Sequence, residues 1–479
     1  MFKRILIGIG GALLLLIVIV LIKTLTFKSK QLQVAVETLP DYTAEALPRL
    51  QGAIKFKTIS NETQFDSSQF NGFHRYLRST YPLVHEKLSL KKIAGYSLLY
   101  KWEGTDASLP PYVLMAHQDV VPVEEASKDL WIVDPFEGLV KQDSIWGRGV
   151  CDDKINLIGI METVEKLLKE GFQPKRTVYL AFGHDEEVGG LGAQATEAEL
   201  ISQTVNADLV LDEGGIVTLD KVPGMTKPVA LIGTSEKGYV SLELKVEKKG
   251  GHSSMPENET ALDILTRAVV TLREHPFPAR FTPSTEGFLE YVGPEMPFGQ
   301  RIVFANTWLF KKIVIGIYES SPGGNALVRT TSVPTIFNAG VAGNVVPTTV
   351  AATFNFRTLP GDSTAGVVEY VKKSIGDERV QISIVGGFRS EPTAITSPDG
   401  PGYKIVDETV HKVFPETVTA PFMMIGGTDS RYMKGVSKNI IKFSPMTDPV
   451  GFHGINERVS VNNFRDTLWF FETLLRNAK

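Results

Sequence analysis

Residues 177–190 read Thr-Val-Tyr-Leu-Ala-Phe-Gly-His-Asp-Glu-Glu-Val-Gly-Gly, a short apolar run that breaks into three consecutive acids and closes on two glycines. The first six residues have the β-branched and aromatic content of a buried strand. A solvated face would account for one or two acids, but not for three held between an apolar strand and a glycine turn. Adjacent glutamates at such an exit can divide the work, Glu187 ligating a metal and Glu186 acting as general base toward water. Outward from this stretch, residues 111–116 (Pro-Tyr-Val-Leu-Met-Ala) and 207–211 repeat the apolar strand character, and residues 155–169 carry helical periodicity. Strands alternating with helices predict an α/β fold with a mostly parallel sheet and helices on both faces. In such sheets the ligand site lies beyond the carboxyl ends of the strands.

The remaining chemistry-bearing residues fall at those ends. His117 follows the 111–116 run, with Asp119 two residues on; a metal-bound histidine commonly has its second ring nitrogen held by a carboxylate or carbonyl. A lone histidine after a strand is more often structural, and only its company changes that reading. In Trp146-Gly147-Arg148-Gly149-Val150-Cys151-Asp152-Asp153-Lys154, two glycines permit a tight loop and two acids then open a helix. Acids there are often plain caps, but two zinc ions close together need a shared carboxylate, and Asp152 is placed for it. Leu211-Asp212-Glu213-Gly214-Gly215 repeats the strand-exit form, with Asp212 as the expected ligand, and His453 sits in a glycine-bounded loop. Two histidines with three carboxylates suit a pair of zinc ions. Cys151 is the single cysteine, so no internal disulfide can form and a closed thiolate zinc site is disfavoured.

After residue 235 the pattern changes. Residues 239–246 alternate as a strand with one solvated face, followed by a helix at 261–274, a strand at 351–357, a helix at 364–375 and a strand at 380–385. These elements predict a two-layer α+β unit inserted in the first domain, with the Pro- and Gly-rich stretch 275–330 as an insertion within that unit. The expected division is 1–31 as anchor and flank, 32–235 and 389–479 as the two parts of the catalytic domain, and 236–388 as the inserted unit.

The chain has 479 residues, 43% hydrophobic and 22% charged, with a formal net charge of -4 and scattered basic residues. That distribution lacks the footprint of a nucleic-acid binder. Its N-terminus departs from the average: residues 5–22 form an unbroken apolar run, with Lys3 and Arg4 before it and Lys23, Lys28 and Lys30 after it. No small-residue cleavage site follows, so an uncleaved single-pass anchor in a lipid bilayer is expected, with the large domain outside the cytoplasm. Charge on both flanks does not decide the orientation. The sequons Asn61-Glu62-Thr63 and Asn258-Glu259-Thr260 would matter only in a eukaryotic secretory route.

The five segments, in this order and spacing, resemble the aminoacylase and carboxypeptidase family of co-catalytic zinc hydrolases over nearly the whole chain after the anchor. Leu-Met-Ala-His-Gln-Asp-Val-Val-Pro, Gly-His-Asp-Glu-Glu, Asp-Glu-Gly-Gly, Ser-Glu-Lys-Gly and Gly-Gly-Thr-Asp-Ser-Arg are most similar to its carboxypeptidase S and N-fatty-acyl-amino-acid synthase/hydrolase branches. The resemblance implies two zinc ions per subunit, replaceable by cobalt or manganese. His117 and Asp212 would hold one and Glu187 and His453 the other, bridged by Asp152, with Glu186 as base and Asp119 orienting His117. It implies a zinc exopeptidase-like catalytic domain and a ferredoxin-like lid able to mediate a homodimer. His252 of the lid would polarise the scissile carbonyl, Arg357 would bind the substrate carboxylate, Asn344 would help hold substrate, and Gly427 with Thr428 would line the carboxylate pocket. The implied reaction is hydrolysis, or by reversal synthesis, of the amide bond next to a free carboxylate in peptides or N-acyl amino acids. Two other readings remain open: an inactive membrane-anchored binding protein on the same fold, and a deacetylase or dipeptidase for small polar metabolites. Phe298, Phe304, Trp308 and Phe310 suggest an apolar acyl-side wall or, equally, core.

Overall fold

The structure is a computed structural model and describes residues 2–36, 38–61 and 65–478; Glu62 and Thr63 of the first sequon lie outside the described residues. A large mixed sheet runs, in spatial order, through Ser89–Ile93, Ser97–Trp102, Val178–Gly183, Tyr112–His117, Leu209–Asp212, Ile440–Lys442, Val229–Glu236 and Val418–Met424. Its centre is parallel: Tyr112–His117 pairs in parallel with Val178–Gly183 and Leu209–Asp212, and Ile440–Lys442 continues in parallel from the latter. An antiparallel hairpin, Ser89–Ile93 with Ser97–Trp102, finishes one edge.

Every residue of Tyr112–His117 is buried, because successive side chains enter different cores. Leu114 and Ala116 pack with the Ile155–Lys169 and Val461–Arg476 helices, whereas Val113 and Met115 pack on the opposite face with Ala193, Leu200 and Met433. That two-sided burial demands the unbroken apolar run seen in the sequence. The parallel strands also bring His117, Gly183 and Asp212 to one edge of the sheet.

A second, four-stranded antiparallel sheet has the order Thr331–Ala339, Thr349–Thr358, Gly238–Glu247, Gln381–Ser390. Val240, Leu242, Leu244 and Val246 point inward from their strand onto the Ala261–Glu274 and Thr364–Ile375 helices, with Ser241, Glu243 and Lys245 on the other face. Thr260, within the second sequon, caps Ala261–Glu274 in a reciprocal box with Asp263.

The Pro- and Gly-rich stretch 275–330 carries four α-helices, Pro283–Val292, Phe298–Ala305, Thr307–Glu319 and Pro322–Val328. Tyr291, Val292 and Met296 join the core of the large sheet. Pro283 and Pro322 occupy first-turn positions, where a missing N–H is harmless. Phe2–Leu25 is one helix of 24 residues, long and apolar enough to cross a membrane by length and composition.

Candidate metal centre

Three strand ends and two loops converge on one cluster of imidazoles and carboxylates. His117 closes its strand, and its Nε2 lies 2.8 Å from Asp152 Oδ1 and 3.3 Å from Glu213 Oε1. Its Nδ1 faces the backbone carbonyl of Asp119 at 3.0 Å and the Asp119 carboxylate at 3.5 Å. The second oxygen of Asp152 meets His453 Nε2 at 2.9 Å, and the same nitrogen lies 3.2 Å from Glu187 Oε2. One carboxylate is therefore shared between two imidazoles, each of which has its own further carboxylate. Asp119 has a second task, since its oxygens accept the backbone N–H groups of Glu186 and Glu187, both at 3.2 Å. This fixes the turn that presents the glutamate pair.

The loops are locked by Glu457. Its carboxylate accepts from Arg148 at 2.7 Å and from the backbone N–H groups of Gly149 and Cys151 at 3.0 and 2.8 Å. Arg148 also donates to Gly454 O, so the Asp152 loop and the His453 loop are clamped together. His453 itself adopts a left-handed backbone conformation with φ 53°. The peptide bond between Asp152 and Asp153 is cis.

Asp212 stands at the strand exit where it was expected. It is the last residue of its strand, and its two oxygens accept backbone N–H groups of Glu213 (3.0 Å) and Ser430 (2.7 Å). The neighbouring Glu213 reaches His117 instead, and His117, Asp153 and Glu213 form one group with convergent ligand atoms, as do His117, Asp152 and Glu187.

Charge and burial both favour cations here. Burial pushes the carboxyls of Asp153, Glu186, Glu187 and Glu213 above the usual range, with neighbouring carboxylates adding to the effect. Burial would do the same to Asp152, but the two imidazoles outweigh it and hold that carboxylate low. Hydrogen bonds to Asp152 and Glu187 push His453 up to about 10. Glu187 Oε1 and Asp153 Oδ2 are buried with no hydrogen-bond partner among the described residues. Tetrahedral zinc with bonds of about 2.1 Å separates neighbouring donor atoms by roughly 3.4 Å. The observed donor spacings of 2.8 to 3.3 Å need only slight expansion to admit such ions.

Beside the cluster, Glu186 Oε1 accepts from Arg431 at 2.9 Å. Asp429 is buried next to it, and a side chain at Gly183 or Gly190 would come within 2.3 Å of its oxygens. Both glycines belong to the 177–190 stretch, and their bareness admits this carboxylate. Thr428 is buried and donates to Glu236 at 2.8 Å, while a side chain at Gly427 would meet Arg431 at 2.6 Å. Sequence reasoning assigned roles to neither Asp429 nor Arg431, although both stand in the Gly-Gly-Thr-Asp-Ser-Arg motif.

The residues of the inserted unit lie apart. Arg357 stacks over Tyr239 at 4.7 Å, Tyr239 packs on Phe388 at 5.3 Å, and Arg431 covers Phe388 at 5.0 Å, so an aromatic ledge links Arg357 to Glu186. His252 is exposed on a two-residue ribbon with Val345–Val346, and its Nδ1 bonds Ser254 Oγ at 2.8 Å. Asn344 adjoins it, its carbonyl accepting from Ser253 N at 3.0 Å. Among the described residues, the hydrogen bonds of His252 and Asn344 do not reach the carboxylate cluster.

Residues 113–477 match the profile of the family described as Peptidase family M20/M25/M40. Over 497 aligned residues the chain is 39% identical to the probable carboxypeptidase S-like 2 of Dictyostelium discoideum, covering 100% of this chain and 93% of that one. It is 38% identical to the N-fatty-acyl-amino acid synthase/hydrolase of Homo sapiens, covering 90% and 87% of the two chains. In fold it is similar to an M20 family metallo-carboxypeptidase from Sulfolobus solfataricus, with a TM-score of 0.66, 21% identity and coverage of 91% and 99%.

Proposed function

The chain belongs to peptidase family M20/M25/M40, and on that premise we propose a two-zinc amidohydrolase that cleaves the amide bond next to a free carboxylate in C-terminal peptides or N-acyl amino acids. The observation that carries it is Asp152, one oxygen on each of two imidazoles that each have a further carboxylate of their own. One ion would take His117, Asp152 and Glu213, the other His453, Asp152 and Glu187. Glu213 is placed in this set because its carboxylate lies 3.3 Å from His117 Nε2, whereas the hydrogen bonds of Asp212 run to the backbone amides of Glu213 and Ser430.

Bound there, the metals supply Lewis acidity toward water and the amide carbonyl. The protein's own groups do the rest. Glu186 takes the proton of the attacking water and passes it to the leaving amine, with Arg431 holding one of its oxygens in place. Asp119 fixes both Glu186 and the ring of His117. Arg357, with Arg431 across the Tyr239 and Phe388 ledge, receives the substrate carboxylate, a task suited to a planar guanidinium. His252 polarises the carbonyl once the inserted unit closes or a second copy supplies it. The edge strand Thr331–Ala339, which exposes Val333, Ile336 and Phe337, supports a homodimer through this unit. The N-terminal helix serves as a single-pass anchor with the catalytic part outside the cytoplasm.

Glu186→Gln should abolish turnover of both an N-acyl amino acid and a blocked dipeptide while two zinc equivalents remain by elemental analysis. An active variant with full metal would remove Glu186 from the proton path. Preference for acetylated over long-chain acyl substrates in the parent enzyme would assign it to small polar metabolites.

A further inference from the structure

The N-terminal helix does not stand clear of the protein. Asn306 Nδ2 donates to Val20 O at 3.2 Å and lies 3.1 Å from Thr24 Oγ1, and Arg301 donates to Phe27 O at 2.6 Å. The Lys23 ammonium lies 5.4 Å from the Trp308 ring, and Thr24 is wholly buried. Further on, Gln31 bonds Tyr291 O and both backbone groups of Thr419. The end of the helix is therefore fastened to the helical stretch 283–319, and the segment that follows it to that stretch and to the edge strand Val418–Met424.

This attachment sets a depth. The apolar run 5–22 rises about 27 Å at 1.5 Å per residue, barely the thickness of a hydrocarbon core of about 30 Å. No residue is to spare, so Val20 must lie within about one turn of the hydrocarbon edge. Whatever touches Val20 is held there too, and Asn306 leads directly into the Thr307–Glu319 helix.

One side of that helix is inward, with Phe310, Val314 and Tyr318 packing around Phe281, Leu289 and Val328. On the other, Leu309, Ile313 and Ile317 recur at every fourth position and, with Trp308 and the nearby Phe298, are 42% to 60% exposed. A contiguous stripe of large apolar side chains is a poor solution to facing water. Lys312 stands exposed on the same helix, placed to reach phosphates at the headgroup level, while the Lys311 ammonium lies over the Phe281 ring at 5.3 Å.

Resting on the reading of residues 2–25 as a membrane span, we infer that Thr307–Glu319 is a second membrane contact. It lies in the plane of the bilayer surface with Trp308, Leu309, Ile313 and Ile317 in the boundary between headgroups and acyl chains. Two attachments, one transverse and one in-plane, then fix the attitude of the enzyme on the bilayer. The lipid surface is the occupant, rather than a second copy, because the depth of Val20 brings it to this face.

The test uses the full chain in phosphatidylcholine vesicles doped with phosphatidylserine. Ile313→Cys carries an environment-sensitive fluorophore, and Ser89→Cys, on the opposite edge strand of the large sheet, carries the control; native Cys151 is buried and will not label. Lipids bearing a nitroxide near the headgroup should quench the Ile313 probe several-fold more than the Ser89 probe. Adding Leu309→Ser and Ile317→Ser should remove most of that difference, whereas mere proximity of the bilayer would leave it intact. If the chain resists alkaline extraction but the two probes quench alike, the in-plane contact is refuted and the span stands. Cross-linking of Ile313→Cys between copies without quenching refutes it in favour of self-association. Extraction of the chain by alkali removes the span, and the inference with it.

Discussion

The carboxylate cluster and the inserted unit hold their functional residues in opposite ways. His117, Glu187 and Glu213 stand at strand exits buried on both faces, and Asp152 and His453 are clamped by one buried ion pair, Arg148 with Glu457. His252 and Asn344 ride on an exposed two-residue ribbon, and Arg357 rests on an aromatic ledge. One half is assembled before substrate arrives, as a charged site needing fixed geometry requires. On the proposed function, the other half presents groups that would act only when brought to the substrate.

The sharpest way to break this contrast is Glu213→Gln against Asp212→Asn. The first should lose one of two zinc equivalents and nearly all activity. The second should keep both metals and lower stability, since the Ser430 amide loses a charged acceptor. Metal loss only in the Asp212 variant would reverse the assignment. Next, His252→Ala should lower kcat by about a hundred- to a thousandfold, the scale for one lost transition-state donor, with zinc content unchanged. Metal loss there would mean the two halves are not separate. A milder change is expected of Arg357→Met, a rise in KM of roughly ten- to a hundredfold with kcat less affected, measured on substrates with a free carboxylate. Equal losses on carboxyl-amidated substrates would remove it from carboxylate recognition.

The smallest effect is at the joint. Lys237 is buried, donates to Ala326 O and Arg329 O at 2.8 and 2.7 Å, and is pushed down to about 7, first by burial and then by Arg357. Above that pH the folded chain has released a proton the unfolded chain still holds, so stability should rise from about pH 7 toward 10. Lys237→Met should flatten that rise in thermal melts. An unchanged slope would show that Lys237 stays charged through its two carbonyl bonds.

Much of this was legible where one residue type permits one solution. The helices at 155–169, 261–274 and 364–375 lie where the sequence pattern places them. The edge strand Thr331–Ala339 was not read, because Pro334 interrupts it at a register shift and its apolar residues face outward. At the strand exit 212–213, either acid satisfies the local pattern. Ser430, more than two hundred residues away in sequence, donates its amide to Asp212, a contact that nothing near residue 212 announces. Arg431 was hidden for the same reason, since nothing near it in the chain indicates that it meets Glu186.

The Arg148 and Glu457 pair spans 309 residues of sequence. At a synthesis rate of about 5 to 20 residues per second, Arg148 waits roughly 15 to 60 s for its partner. The Asp152 and His453 loops cannot be clamped until Glu457 has been synthesised. On the proposed function, metal uptake at Asp152 and His453 would then follow the synthesis of Glu457 rather than that of the first strands.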